Sequence, residues 1–129
     1  MYADGASWGN PGPSAAGVVI YNPANELIFK AGFFLGKSTN NVAEYRAIEE
    51  GVLRGKDLGV KKIVVHSDSQ LVIRQLTGKY KVNNLTLKKI YNSIKNTERK
   101  YSSIKYKFLT REYTKVPHNL ATGILSSRE

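Results

Sequence analysis

The chain has 129 residues, no cysteine and a formal net charge of +10. That length supports one domain with a real core, the missing cysteines exclude disulfides and thiolate metal centres, and no apolar run reaches the roughly eighteen residues of a membrane span. Charge is lopsided: residues 1–77 hold eight Lys/Arg against seven Asp/Glu, residues 78–129 twelve against three, an asymmetry that points to a polyanion, nucleic acid first.

Met1 to Ser7 reads as a first strand, and Gly9-Asn10-Pro11-Gly12-Pro13 as a turn. Ala16 to Tyr21 is a second strand, closed by a turn over Asn22 to Asn25, and Glu26 to Leu35 a third. Their short connections make the three antiparallel neighbours. The period then changes. Thr39 to Leu58 has helical composition, with Thr39 or Asn40 as the cap. Lys61 to His66 is a compact apolar strand, followed by a helix through Ser69 to Leu76. A loop over Gly78 to Lys81 leads to a basic helix from about Leu85 to Lys100, then to an alternating strand from Ser103 to Leu109. Lys115-Val116-Pro117 reads as a turn feeding a last helix over His118 to Leu125, because proline suits the first helical position. The order βββαβααβα implies an α/β fold, a mixed sheet with helices packed on its faces.

Three acids stand where propensity and burial argue against them. Asp4 interrupts a strand, where Asp is depleted. Glu44 shares a helix face with Ala47, Ile48 and Gly51, the stripe meant to pack on the sheet. Asp68 follows a strand and opens a helix, at the strand end where α/β folds place ligands. Each has an ordinary explanation: a turn-proximal acid, a snorkelling side chain, an N-cap. Together they are better explained by a divalent cation, because buried like charges repel and raise each other's pKa. With hard oxygen donors and only two histidines, Mg²⁺ or Mn²⁺ fits better than zinc. His118 is awkward in the first turn of its helix, whose positive end favours an acid.

Four segments, YADGASWGNPGPSAAGVVI, STNNVAEYRAIEEGV, VVHSDSQLVIRQLTGKYKV and REYTKVPHNLA, resemble in order and spacing the type 1 ribonuclease H family, its short archaeal and bacterial members above all. The resemblance spans Tyr2 to about Leu125 and implies a ribonuclease H-like fold, a five-stranded mixed sheet with helices on both faces, as a single domain over residues 1–129. It implies an endonuclease that hydrolyses the RNA strand of RNA–DNA hybrids with two divalent ions held by acids. Asp4, Glu44 and Asp68 fall on the first three catalytic acids, which would make them the metal ligands. His118 takes the place of the fourth, an aspartate, and Thr114 stands where many members have asparagine. By the same resemblance Asn10, Asn40, Asn41 and Gln70 would touch the minor groove and Thr39 a phosphate of the DNA strand, while Gly5 and nearby backbone would lie within reach of the 2′-OH; Arg111 would contact a phosphate or position Glu112 and His118. His118 admits three readings: a neutral imidazole that relieves repulsion, a substitute metal or water ligand that suits Mn²⁺ better, or a sign of lost catalysis. The alternative function is therefore a catalytically silent hybrid-binding module. Double-stranded RNA is a second candidate substrate. A monomer, cytoplasmic and without a membrane partner, completes the expectation.

Overall fold

Small and β-branched residues carry the opening meander, β1 (Tyr2–Ser7), β2 (Gly12–Tyr21) and β3 (Leu27–Ser38), in the computed structural model, which describes residues 1–128. Then follow α1 (Asn40–Asp57), β4 (Lys62–Ser67), α2 (Gln70–Leu76), α3 (Leu85–Glu98), β5 (Ser103–Phe108), a 3₁₀ turn at Arg111–Tyr113 and α4 (Lys115–Ser126). The five strands lie in the order β3-β2-β1-β4-β5, antiparallel from β3 to β1 and parallel from β1 to β5. The architecture is the mixed α/β sheet expected from the element order.

Three boundaries differ by three residues or more from the sequence reading for local reasons, one of them the end of β3 at Ser38 instead of Leu35. Strand β2 starts at Gly12 instead of Ala16, because the turn is complete once Trp8 N–H donates to Pro13 O at 2.8 Å. Residues 12–14 are then free to pair with 36–38, and an extra residue in β3 is absorbed where Gly36 takes φ +77°. Helix α4 starts at Lys115, which puts Pro117 third and His118 fourth. The first helical hydrogen bond is His118 N–H to Thr114 O, 3.0 Å. Proline's missing N–H falls among the four donors that a helix start leaves unpaired anyway, so Pro117 is as acceptable there as at the first position.

The core lies between the sheet and α1. Ala43, Tyr45, Ala47, Ile48 and Val52 of α1 pack on Ala3, Val18 and Val65, and α3 adds Leu87, Ile90 and Ile94. A smaller cluster on the opposite face joins Ala121 and Leu125 of α4 to Ala15. Two glycines set the helix heights. A Cβ on Gly5 would collide with the Ala43 backbone, and one on Gly17 with the Pro117 backbone. Both helices therefore lie against bare strand, and β1 is gripped from both sides at Asp4 and Gly5. Among the described residues no helix is long and apolar enough to cross a membrane.

Candidate active site

Asp4 sits mid-strand in β1, between β2 and β4, and is fully buried on the α4 side of the sheet. Glu44 projects from the second turn of α1, a helix capped by Thr39 Oγ1 accepting from Val42 N–H at 3.2 Å. Because Gly5 lets α1 come close, Gly5 N–H donates to Glu44 Oε1 at 2.9 Å. Asp68 follows β4 and precedes Ser69, the residue that caps α2. One carboxylate oxygen from each acid lies within 4.8 Å of the others.

Such proximity is electrostatically unfavourable without a counter-charge. Burial and the neighbouring Asp68 push the Asp4 carboxyl up to about 6, against the lowering effect of its His118 and Arg111 contacts. Burial, then Asp4 and Asp68, hold the Glu44 carboxyl well above the ordinary range despite the Gly5 N–H. Asp4 Oδ1 is buried with no hydrogen-bond partner, and Arg111 Nη2 is 3.8 Å away, too far to supply one. An orphaned carboxylate oxygen facing two more carboxylates fits a hard divalent cation. The residues present suit such an ion, and Asp4, Glu44 and Asp68 could hold it.

Around the acids stand three residues from the chain's last segment. Thr114, fully buried at the start of α4, donates from Oγ1 to Asp68 Oδ2 at 3.2 Å, and Arg111 Nε donates to the same oxygen. His118 Nδ1 lies 2.7 Å from Asp4 Oδ2. A carboxylate only accepts, so Nδ1 is the donor of that pair; Arg111 Nη1 lies 3.0 Å from Nδ1 and 3.3 Å from Nε2. His118 thus lies directly on Asp4 and engages one of its two oxygens, leaving Oδ1 as the free one.

Glu44 and Asp68 open onto a cleft of about 530 Å³ whose walls include Gly5, Trp8, Asn40, Arg111, His118 and Thr122, with Asp4 buried behind them. Of the other residues singled out in the sequence, Asn10 accepts Asn40 N–H on Oδ1 at 3.0 Å and ties the first turn to the start of α1. Asn41 is exposed on the first turn of α1, while Gln70 lines a neighbouring hollow with Arg74, Lys79 and Phe108 instead of the cleft. Gly5 supplies space and no free donor, since its N–H is committed to Glu44. His66 stays outside the cluster, where Nδ1 lies 3.1 Å from Met1 O. Sequence reasoning passed over Ser67, whose Oγ is 3.5 Å from Glu44 Oε2, and Trp8, 42% exposed at the cleft edge. Ser67 gave no signal beyond parity. A lone exposed tryptophan beside a Gly-Asn-Pro turn in a basic chain was a usable one.

A family profile described as reverse transcriptase-like matches residues 2–123. A bifunctional protein of Mycobacterium tuberculosis is 32% identical over 126 residues, 97% of this chain but only 35% of that protein. The chain thus spans about a third of the length of that relative. Among solved structures, the type 1 ribonuclease H of Halobacterium salinarum superposes with a TM-score of 0.95 at 32% identity, covering 98% of this chain and 96% of that one. A type 1 ribonuclease H solved in complex with an RNA/DNA hybrid reaches 0.90 at 30% identity, covering 95% and 92%.

Proposed function

The chain belongs to the type 1 ribonuclease H family, and from that premise we propose that it is an endonuclease hydrolysing the RNA strand of RNA–DNA hybrids with two divalent ions, Mg²⁺ or Mn²⁺. The observation that carries the reading is the cluster of Asp4, Glu44 and Asp68, in which Glu44 and Asp68 line an open cleft and the buried Asp4 behind them keeps an Oδ1 with no hydrogen-bond partner among the described residues. Such a cluster is unfavourable for stability alone and makes sense as a cation site. Asp4, on the central strand, would be the shared ligand, with Glu44 and Asp68 each completing one position. When bound, two such ions supply charge neutralisation at the scissile phosphate and at the attacking and leaving oxygens.

The remaining groups act through this chain's own geometry. Arg111, already donating to Asp68 and lying against His118, still lines the cleft with a half-exposed side chain, so the N–H groups those contacts leave over can receive a phosphate. Gly5 lines the cleft beside the acids, where a sugar-phosphate backbone carrying a 2′-OH would approach. Asn10, Asn40 and Asn41 gather at the junction of the first turn and α1, where a minor groove would lie, and Thr39 beside them would meet a phosphate of the DNA strand. Gln70 stands apart and would reach only a neighbouring nucleotide. His118 holds Asp4 Oδ2 through a hydrogen bond and so removes a ligand position that a fourth acid would have added; we assign it to altered metal use with retained turnover. Double-stranded RNA presents the same 2′-OH and is a second substrate to assay. We further propose that it acts as a cytoplasmic monomer of one domain.

A second reading, a hybrid-binding module without turnover, is favoured by the His118–Asp4 contact. A labelled hybrid incubated with the protein in Mg²⁺ and in Mn²⁺ decides between them. Cleavage lost on Asp4→Asn supports the nuclease; binding without cleavage in either metal overturns it.

A further inference from the structure

We propose that the part of the sheet left bare beside α4 is a binding surface for single-stranded nucleic acid. Helix α4 packs on β1, β2 and β3. Beyond it, the same face of β4 and β5 carries Val64 and His66 paired in register with Lys105 and Lys107, both exposed. Ile63, Val65 and Ser67 point the other way, into the core or toward Glu44.

What lies on this face is an ordered set of rings. Tyr2 stacks on His66 with centroids 4.4 Å apart at 14°, and Tyr21 meets Tyr2 edge-on at 6.0 Å. His66 Nδ1 faces Met1 O, which pins the ring plane. Tyr113, 62% exposed, closes the other side. The rings border two adjoining hollows of about 300 and 510 Å³, and no Asp or Glu lines either among the described residues, whereas Lys61 and Lys62 do. Pre-set aromatic faces flanked by cations suit unpaired bases with their phosphates, whereas a duplex hides its base faces. The occupant is chosen on that charge complementarity. Tyr2 and His66 each stand two residues from an acid of the cleft, Asp4 and Asp68. The strand held here is therefore the unpaired continuation of a hybrid seated on the acids, a placement that rests on the nuclease reading; single-strand binding itself does not.

Fluorescence anisotropy of labelled single-stranded RNA and DNA oligonucleotides, in EDTA so that nothing is cut, tests the surface. Lys105→Glu/Lys107→Glu and Tyr113→Ala should each weaken single-strand binding about tenfold, with unchanged melting temperatures, while Lys88→Glu/Lys89→Glu on α3 changes it less than threefold. Amide and ring NMR signals of Tyr2, His66 and Lys107 should shift on titration. In a cleavage assay a single-stranded overhang should lower KM for the parent and not for the Lys105→Glu/Lys107→Glu variant, with blunt hybrids cut equally by both. No single-strand binding, equal affinity in all variants, shifts confined to α3, or self-association through this face would each overturn the proposal. Failure of cleavage alone would overturn the nuclease reading and leave the anisotropy result standing.

Discussion

Asp4 meets two demands that both disfavour its charge: burial in a central strand and a neighbourhood of two more carboxylates. Asp4→Asn removes one of the three charges while its amide can still accept from His118 on one side and donate to the acids on the other. The expected result is loss of hydrolysis together with a gain in metal-free stability of about 1–3 kcal/mol at neutral pH, roughly 5–10 °C in melting temperature. A fall in melting temperature would mean that the cluster is not strained. His118→Asp runs the other way. It deletes the hydrogen bond to Asp4 and adds a fourth acid, so the metal-free protein should melt lower and Mg²⁺ should support faster cleavage relative to Mn²⁺. Unchanged rate and metal preference would show that His118 has no part in metal use.

At the scale of elements, the site depends on how closely two helices approach bare strand. Gly17 touches the Pro117 backbone, so Gly17→Ala must push the start of α4 outward and carry His118 off Asp4. We expect destabilisation of about 2–3 kcal/mol and a change in metal preference in the same direction as removal of the histidine, read by thermal melting and parallel Mg²⁺ and Mn²⁺ assays. Thr39→Ala removes the α1 cap and should cost about 1 kcal/mol. Because Glu44 lies one turn further on, the same change should weaken divalent-ion binding measured by calorimetry.

For the whole molecule the acid cluster sets a pH dependence of definite sign. Asp4, pushed up to about 6, and Glu44, pushed up by the same neighbours, bind protons more tightly folded than unfolded. Below about pH 4 both states are protonated and nothing is lost; as pH rises through 4 to 6 and beyond, the unfolded state ionises first and stability falls. The metal-free protein should therefore melt lower at pH 7 than at pH 5 on account of these groups, and millimolar Mg²⁺ or Mn²⁺ should reverse the trend. A profile that is flat in EDTA would remove the case for a strained cation site.

The residues Asp4, Glu44 and Asp68 were legible because each broke a local rule, a strand without acids, an apolar helix stripe, a strand end that needs only a cap. The five strands and most helix limits followed from periodicity and turn residues, whose physics is local. What the chain alone could not express was distance. The closeness of Glu44 to Asp4 follows from α1 resting on Gly5, and the bond from His118 to Asp4, set by α4 resting on Gly17, spans 114 positions. The bare, ringed sheet face beyond α4 exists only because one helix covers three strands of five. Local order is set by neighbours in the chain; the site and the open face are set by which backbones can touch, and only packing decides that.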